Sequence, residues 1–87
     1  MPKTLPLKAC LGFIGSQITT LRELRNLTQE QLAALCGVSG PYIGQVERGQ
    51  RNPTIGVLYA ICEALDVSLT ISFKKFAVIR YNPIKEN

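Results

Sequence analysis

The residues able to do acid–base or nucleophilic chemistry are few and scattered. Six acids, Glu23, Glu30, Glu47, Glu63, Asp66 and Glu86, form no pair at a spacing suited to general acid–base work. The chain has no His, which excludes His-based triads, His general bases and His-ligated metal sites. Cys10, Cys36 and Cys62 are an odd number at wide spacing, with neither the Cys-x-x-Cys pair of a zinc site nor the even, dense set of a secreted scaffold. Cys36 and Cys62 read as small buried hydrophobes, and Cys10 as an exposed residue near a flexible start. No phosphate loop is present. No metal or cofactor is expected.

Ten Lys and Arg against those six acids give a net charge of +4 over 87 residues, and 46% hydrophobic residues are enough for a folded core. A chain of this length holds one modest domain, which argues against an enzyme and for a basic binding module. The basic residues are not gathered on one amphipathic helix, as a membrane-surface binder requires. No apolar run approaches the ~18 residues of a membrane span. A cytoplasmic protein is expected.

Four short helices would have to position whatever this module binds. Residues 1–10, with Pro2 and Pro6, read as a flexible arm. Leu11, Ile14, Ile18 and Leu21 then make one helical stripe running to about Arg25. Thr28-Gln29-Glu30-Gln31 has the spacing of a capping box that opens a second helix, with Leu32, Ala33 and Cys36 inward and Gly37 at its stop. Ser39 caps a third helix, which has Pro41 in its first turn and Ile43 and Val46 inward, and Gly49 ends it. After the polar loop Gln50-Arg51-Asn52-Pro53, Thr54 caps a fourth helix with the stripe Ile55, Leu58, Ile61/Cys62 and Leu65.

The period then changes to two. Val67, Leu69, Ile71 and Phe73 alternate with Ser68, Thr70, Ser72 and Lys74, a strand signal. A further apolar run spans residues 76–81, but Lys74-Lys75 are poor hairpin-turn residues. A lone strand is unstable in water and must pair. The simplest partner is the same strand of a second copy, with Leu69, Ile71 and Phe73 at a two-fold axis. Three divisions are expected after the 1–10 arm: a helical domain over 11–66, a strand segment for dimerisation over 67–81, and a frayed tail over 82–87.

From Phe13 to Leu69 the chain resembles the Xre (lambda-repressor-like) helix-turn-helix family. The match runs in order through Ile14-Gly15, Ile18, Leu21-Arg22, Leu27-Thr28-Gln29-Glu30-Gln31-Leu32-Ala33, Gly37-Val38-Ser39, Ile43, Val46-Glu47-Arg48-Gly49, Asn52-Pro53 and Ala64-Leu65. The resemblance implies a mainly α fold: a four- to five-helix DNA-binding domain, here followed by a C-terminal β-strand that pairs across a homodimer. It also implies binding to double-stranded operator DNA as a dimer, usually to repress transcription. The residues suit that role independently, because Gly37 permits the tight turn that lets a second helix project into the major groove.

Site roles follow from the resemblance. Gln29 matches a position that contacts a phosphate or braces the reading helix. Ser39, Tyr42 and Gln45 face the groove, and Gln can pair with adenine in bidentate fashion. Arg48, Arg51 and the backbone at Asn52 resemble phosphate clamps. Gly40 and Pro41, at the first two reading positions, offer no side-chain donor, which shifts specificity toward Gln45, Tyr42 and DNA shape. Glu47 matches a position that typically pairs with that of Arg22, giving an ion pair with a structural role.

Two classes of function compete. One is a homodimeric, autoregulating repressor on an inverted repeat. The other is an interaction protein that neutralises a partner, since Leu65-Asp66-Val67-Ser68-Leu69-Thr70-Ile71 resembles the corresponding segment of HipB-type antitoxins, whose partner is a HipA-like kinase toxin. Restriction–modification controller proteins and small phage regulators share the helical part.

Overall fold

A computed structural model describes the backbone of residues 6–73 and 77–83, with side chains as far as residue 70. Helices α1 (Leu7–Leu24), α2 (Gln29–Cys36), α3 (Gly40–Glu47) and α4 (Ile55–Ala64) precede strands β1 (Val67–Phe73) and β2 (Ala77–Pro83). The local signals set the helix ends. Thr28 Oγ1 accepts from the Gln31 amide at 3.0 Å while the Gln31 side-chain oxygen accepts from the Thr28 amide at 2.8 Å, a complete capping box. Ser39 and Thr54 cap α3 and α4 in the same way, accepting from the amides of Tyr42 and Val57. Gly37 and Gly49, each at φ +73°, close α2 and follow α3 in the left-handed region.

The core forms where the four helices meet. Leu32, Ile43, Ile61 and Leu65 are fully buried, joined by Ile18, Ala33, Val46, Leu58 and Val67. Cys36 and Cys62 pack against this cluster as free thiols, half-buried, and burial pushes both thiols up from their ordinary range. The Arg25 guanidinium reaches from the end of α1 to the C-terminal end of α4, with Nε donating to the Leu65 carbonyl at 2.7 Å. That bond satisfies a carbonyl left over at a helix terminus. It also fixes the corner at Asp66 (φ +61°) where the chain enters β1.

Several expectations need correction. Leu7–Cys10 are helical, because Pro6 sits just before α1, where its missing N–H matters least, and its carbonyl accepts from the Cys10 amide at 3.1 Å. Cys10 is half-buried. Ile55, placed on the inward stripe of α4, is 58% exposed. β1 is not a lone strand: it pairs antiparallel with β2 of its own chain, Val67 opposite Pro83 through Phe73 opposite Ala77. A ladder of seven residue pairs and the anchoring of Val67 and Leu69 on the helical core outweigh an unpromising turn sequence. Asn82 and Pro83 therefore belong to β2, not to a tail. The rest of the expected arm and tail, residues 1–5 and 84–87, lies outside the described residues, as do the side chains of Ile71 and Phe73.

One carboxylate joins three helices. Glu47, the last residue of α3, receives Arg22 Nε on Oε2 at 2.6 Å and Arg22 Nη2 on Oε1 at 3.2 Å. Gln29 Nε2, at the start of α2, also donates to Oε1, at 2.9 Å. The remaining Arg22 nitrogen, Nη1, donates to the Leu27 carbonyl at 2.8 Å, so the guanidinium also ties down the α1–α2 turn. The Arg22 and Glu47 side chains are 13% and 5% exposed. Burial alone would push the Glu47 carboxyl up, but the hydrogen bonds from Arg22 and Gln29 with the charge of Arg22 hold it below its ordinary value. Arg22 is correspondingly raised, first by its hydrogen bond to Glu47.

About two turns away on the same face of α1, Gly15 lets the two backbones touch. A Cβ there would fall on the carbonyls of Val46 and Glu47. Gly49 makes a similar approach to Gly12, to which a Cβ on Gly49 would come within 2.9 Å. Gly12 itself faces open space. Together these contacts press the C-terminal end of α3 against α1.

Two stability predictions follow from this packing. Glu47→Ala, which strands a buried guanidinium, should cost about 3–5 kcal/mol by chemical denaturation. Because the folded carboxyl lies below its unfolded value, its stabilisation is full above about pH 4.3 and fades as pH falls through the folded value. Glu47→Gln should therefore melt lower at neutral pH and lose part of the wild-type decline in Tm toward acid; an unchanged acid profile would contradict the pairing. Separately, Gly15→Ala should cost about 1–3 kcal/mol through overpacking, whereas Gly12→Ala should stabilise α1 by about 0.5–1 kcal/mol. Equal melting of Gly15→Ala and wild type would refute the close approach.

Candidate nucleic-acid interface

α2, the turn at residues 37–39 and α3 form a helix-turn-helix. The turn is short because Gly37 takes the left-handed conformation and Ser39 immediately caps the next helix. The Val38 amide donates back to the Ala33 carbonyl at 3.0 Å, which satisfies the end of α2. Leu32 and Ala33 on α2 meet Ile43 and Val46 on α3 in the core, so the angle between the helices is set by buried apolar contact.

With Ile43, Val46 and Glu47 committed inward, the other side of α3 is left for a partner. Pro41, Gln45 and Arg48 succeed one another at steps of four and three, and therefore share a face, with Tyr42 beside them. Pro41 and Arg48 are exposed, and Tyr42 and Gln45 are half-buried. Ser39 lies at the exposed start of the helix, and its oxygen accepts the capping bond while its O–H remains a donor. Arg51 and Asn52 are exposed in the loop that follows. The nine residues expected at the DNA surface are thus distributed over α3, its two ends and the first residue of α2.

Their individual placements differ in detail from the sequence expectation. Gln29 reaches past Gly44 to Glu47, so its amide braces the C-terminal end of α3. The first amides of α2 beside it still have no partner within the helix and favour an anion. Arg48 donates through Nε to Gln50 Oε1 at 3.2 Å. Arg51, expected as a phosphate clamp, turns back over α3: its Nε donates to Gln45 Oε1 at 2.8 Å, and its guanidinium carbon lies 5.8 Å from the centre of the Tyr42 ring. Gly40 lies against Glu30 of α2, whose Cγ would be 3.2 Å from a Cβ at that position. A carboxylate therefore flanks the start of α3.

Glu30 and Gln50 were not picked out from sequence. Neither has a spacing that marks it, since Glu30 meets Gly40 only through the turn and Gln50 meets Arg48 only after Gly49 reverses the chain. Among the described residues, no group of three His, Cys, Asp or Glu side chains is close enough to hold a metal ion. No helix among them is long and apolar enough to cross a membrane.

Known proteins share this arrangement. An uncharacterised HTH-type transcriptional regulator of Sinorhizobium fredii is 46% identical over 55 residues, covering 63% of this chain and 71% of that protein. Two uncharacterised HTH-type transcriptional regulators of Mycobacterium tuberculosis are longer, and the chain spans 46% of each. The crystal structure of the restriction–modification controller protein C.AhdI from Aeromonas hydrophila superposes with a TM-score of 0.65 at 41% identity, over 67% of this chain and 88% of that one. The P22 c2 repressor, crystallised with a synthetic operator, superposes with a TM-score of 0.58 at 33% identity, over 60% of this chain and 79% of its own. The HTH_3 helix-turn-helix model matches residues 18–71, which takes in α2, the turn and α3 whole. On its sequence and on the geometry of those two helices, the chain belongs to the HTH_3 helix-turn-helix family.

Proposed function

We propose that the chain is a transcriptional regulator that binds double-stranded operator DNA as a homodimer, most directly as a repressor of its own promoter in the cytoplasm. The observation that carries this reading is the division of α3: one face is locked into the core and, through Glu47, to Arg22 and Gln29, and the other presents Tyr42, Gln45 and Arg48, with Arg51 folded back from the loop beside them. A helix held rigidly from behind and polar in front suits insertion in a major groove about 12 Å wide. Arg48 and the free amides at the start of α2 suit phosphates on either side. The P22 repressor's complex with an operator supports this reading, and the likeness to C.AhdI favours a regulator of the controller kind.

Dimerisation supplies the two half-sites. The β1–β2 hairpin is the proposed contact, because a two-stranded sheet gains stability from further pairing. In that arrangement Leu69, Ile71 and Phe73 of β1 would lie near the two-fold axis. The expectation of a HipA-like toxin partner rests on the residue 65–71 resemblance alone. No described feature adds to it, and the proposal does not include it.

Footprinting on DNA around the chain's own gene tests this function. Protection of an inverted repeat is expected, with half-site centres about 34–36 Å apart and binding that weakens steeply with salt. Arg48→Ala should weaken binding on all sequences and reduce the salt slope by about one. No protected site at low salt would contradict DNA regulation. For the dimer, a chain ending at Thr70, which keeps Val67 and Leu69 on the core, should sediment as a monomer; an intact dimer would contradict the hairpin contact.

A further inference from the structure

The Arg51–Gln45 bond determines which end of the Gln45 amide faces a base. A guanidinium has only donors, so its partner must be the amide oxygen, and the Gln45 Nε2 group is turned away from Arg51. A free Gln side chain matches adenine by donating to N7 and accepting from N6. In this chain one lone pair of that acceptor is already engaged at 2.8 Å by a cation, which withdraws electron density from the oxygen and weakens it as an acceptor for a second donor. Any adenine brought to Gln45 would also meet the Arg51 N–H groups with its own N6 amino group, donor against donor. Beside that weakened acceptor stands an array of donors: Nε2 of Gln45 and the two terminal nitrogens of Arg51, neither of which takes part in the bond through Nε.

In the major groove the base edge with two adjacent acceptors and no donor is that of guanine, at O6 and N7. The Tyr42 ring, 5.8 Å below the guanidinium carbon, holds Arg51 over α3 by a cation–π contact and away from the flanking backbone. We infer that Arg51 is a specificity-determining residue: by holding the Gln45 oxygen it converts the reading position on α3 from one matched to adenine into a donor-rich pair matched to guanine. This inference rests on the DNA-binding reading and goes beyond it, because the phosphate-clamp role implied by family resemblance carries no base preference.

The test is selection from a randomised duplex library with the full chain, comparing wild type, Gln45→Ala and Arg51→Met. Arg51→Met keeps an apolar stem over Tyr42 and removes every donor; both sites are on the surface, and a melting curve checks that the variants fold. Wild type should select guanine at a position that Gln45→Ala relaxes. There, Arg51→Met should shift the guanine-to-adenine ratio toward adenine by about tenfold or more, the discrimination that a bidentate contact supplies. Wild-type selection of adenine at that position would overturn the inference. So would an Arg51→Met variant that keeps the base preference and only binds all DNA more weakly, with a salt slope smaller by about 0.9. Failure of wild type to enrich any sequence would overturn the DNA-binding reading itself, and the inference with it.

Discussion

The architecture depends on keeping one carboxylate charged in a place that water barely reaches. Glu47 stands at the C-terminal end of α3 with a 5% exposed side chain. An unpaired charge there would be untenable, so the fold must deliver Arg22 from α1 and Gln29 from α2 to the same two oxygens. Meeting that requirement fixes three helices at once. The pair adds geometry more than energy, since a buried ion pair recovers only part of its own desolvation cost. Its consequence is positional: α3 is held at its far end by a forked, directional contact that tolerates little rotation.

The glycines extend the same constraint from side chain to backbone. At Gly15 and Gly49 the approach of α1 to the end of α3 leaves no space for a Cβ, and this close contact is what allows Arg22 to span to Glu47. Apolar contacts among Leu32, Ala33, Ile43 and Val46 set the remaining angle. The front of α3 therefore inherits its orientation from a network behind it. Changes at Gln45 or Arg51 can alter the front of α3 without disturbing what holds the helix, whereas Tyr42 also packs against the core.

Much of this was legible in the sequence where the determinant is local. Thr28, Ser39 and Thr54 announce helix starts because a cap acts within three residues, and Gly37 and Gly49 mark ends because the left-handed conformation is a property of the residue itself. The Arg22–Glu47 contact, 25 residues apart, was legible only through family resemblance. The start of α1 at Leu7 was obscured by Pro6, which reads as a breaker yet serves as a boundary. The hairpin was obscured by Lys74-Lys75, because turn propensity is a weaker term than a seven-pair ladder. Ile55 followed the helical period but falls outside the core because it lies at the first residue of α4. The Arg51–Gln45 contact had no sequence signal at all. It depends on where the chain turns after Gly49, a tertiary fact that spacing does not encode.

We propose that the front of α3, held from behind through Glu47, is the surface that meets DNA. An amide chemical-shift titration of the full chain with a duplex carrying its selected site tests this most directly. Perturbations should concentrate on the first residues of α2, on Ser39, Gly40, Tyr42 and Gln45, and on Arg48 to Asn52, with the Arg22 and Glu47 side chains still paired at saturation. Perturbations centred instead on the exposed face of α4 at Ile55 and Tyr59, with α3 silent, would contradict the account.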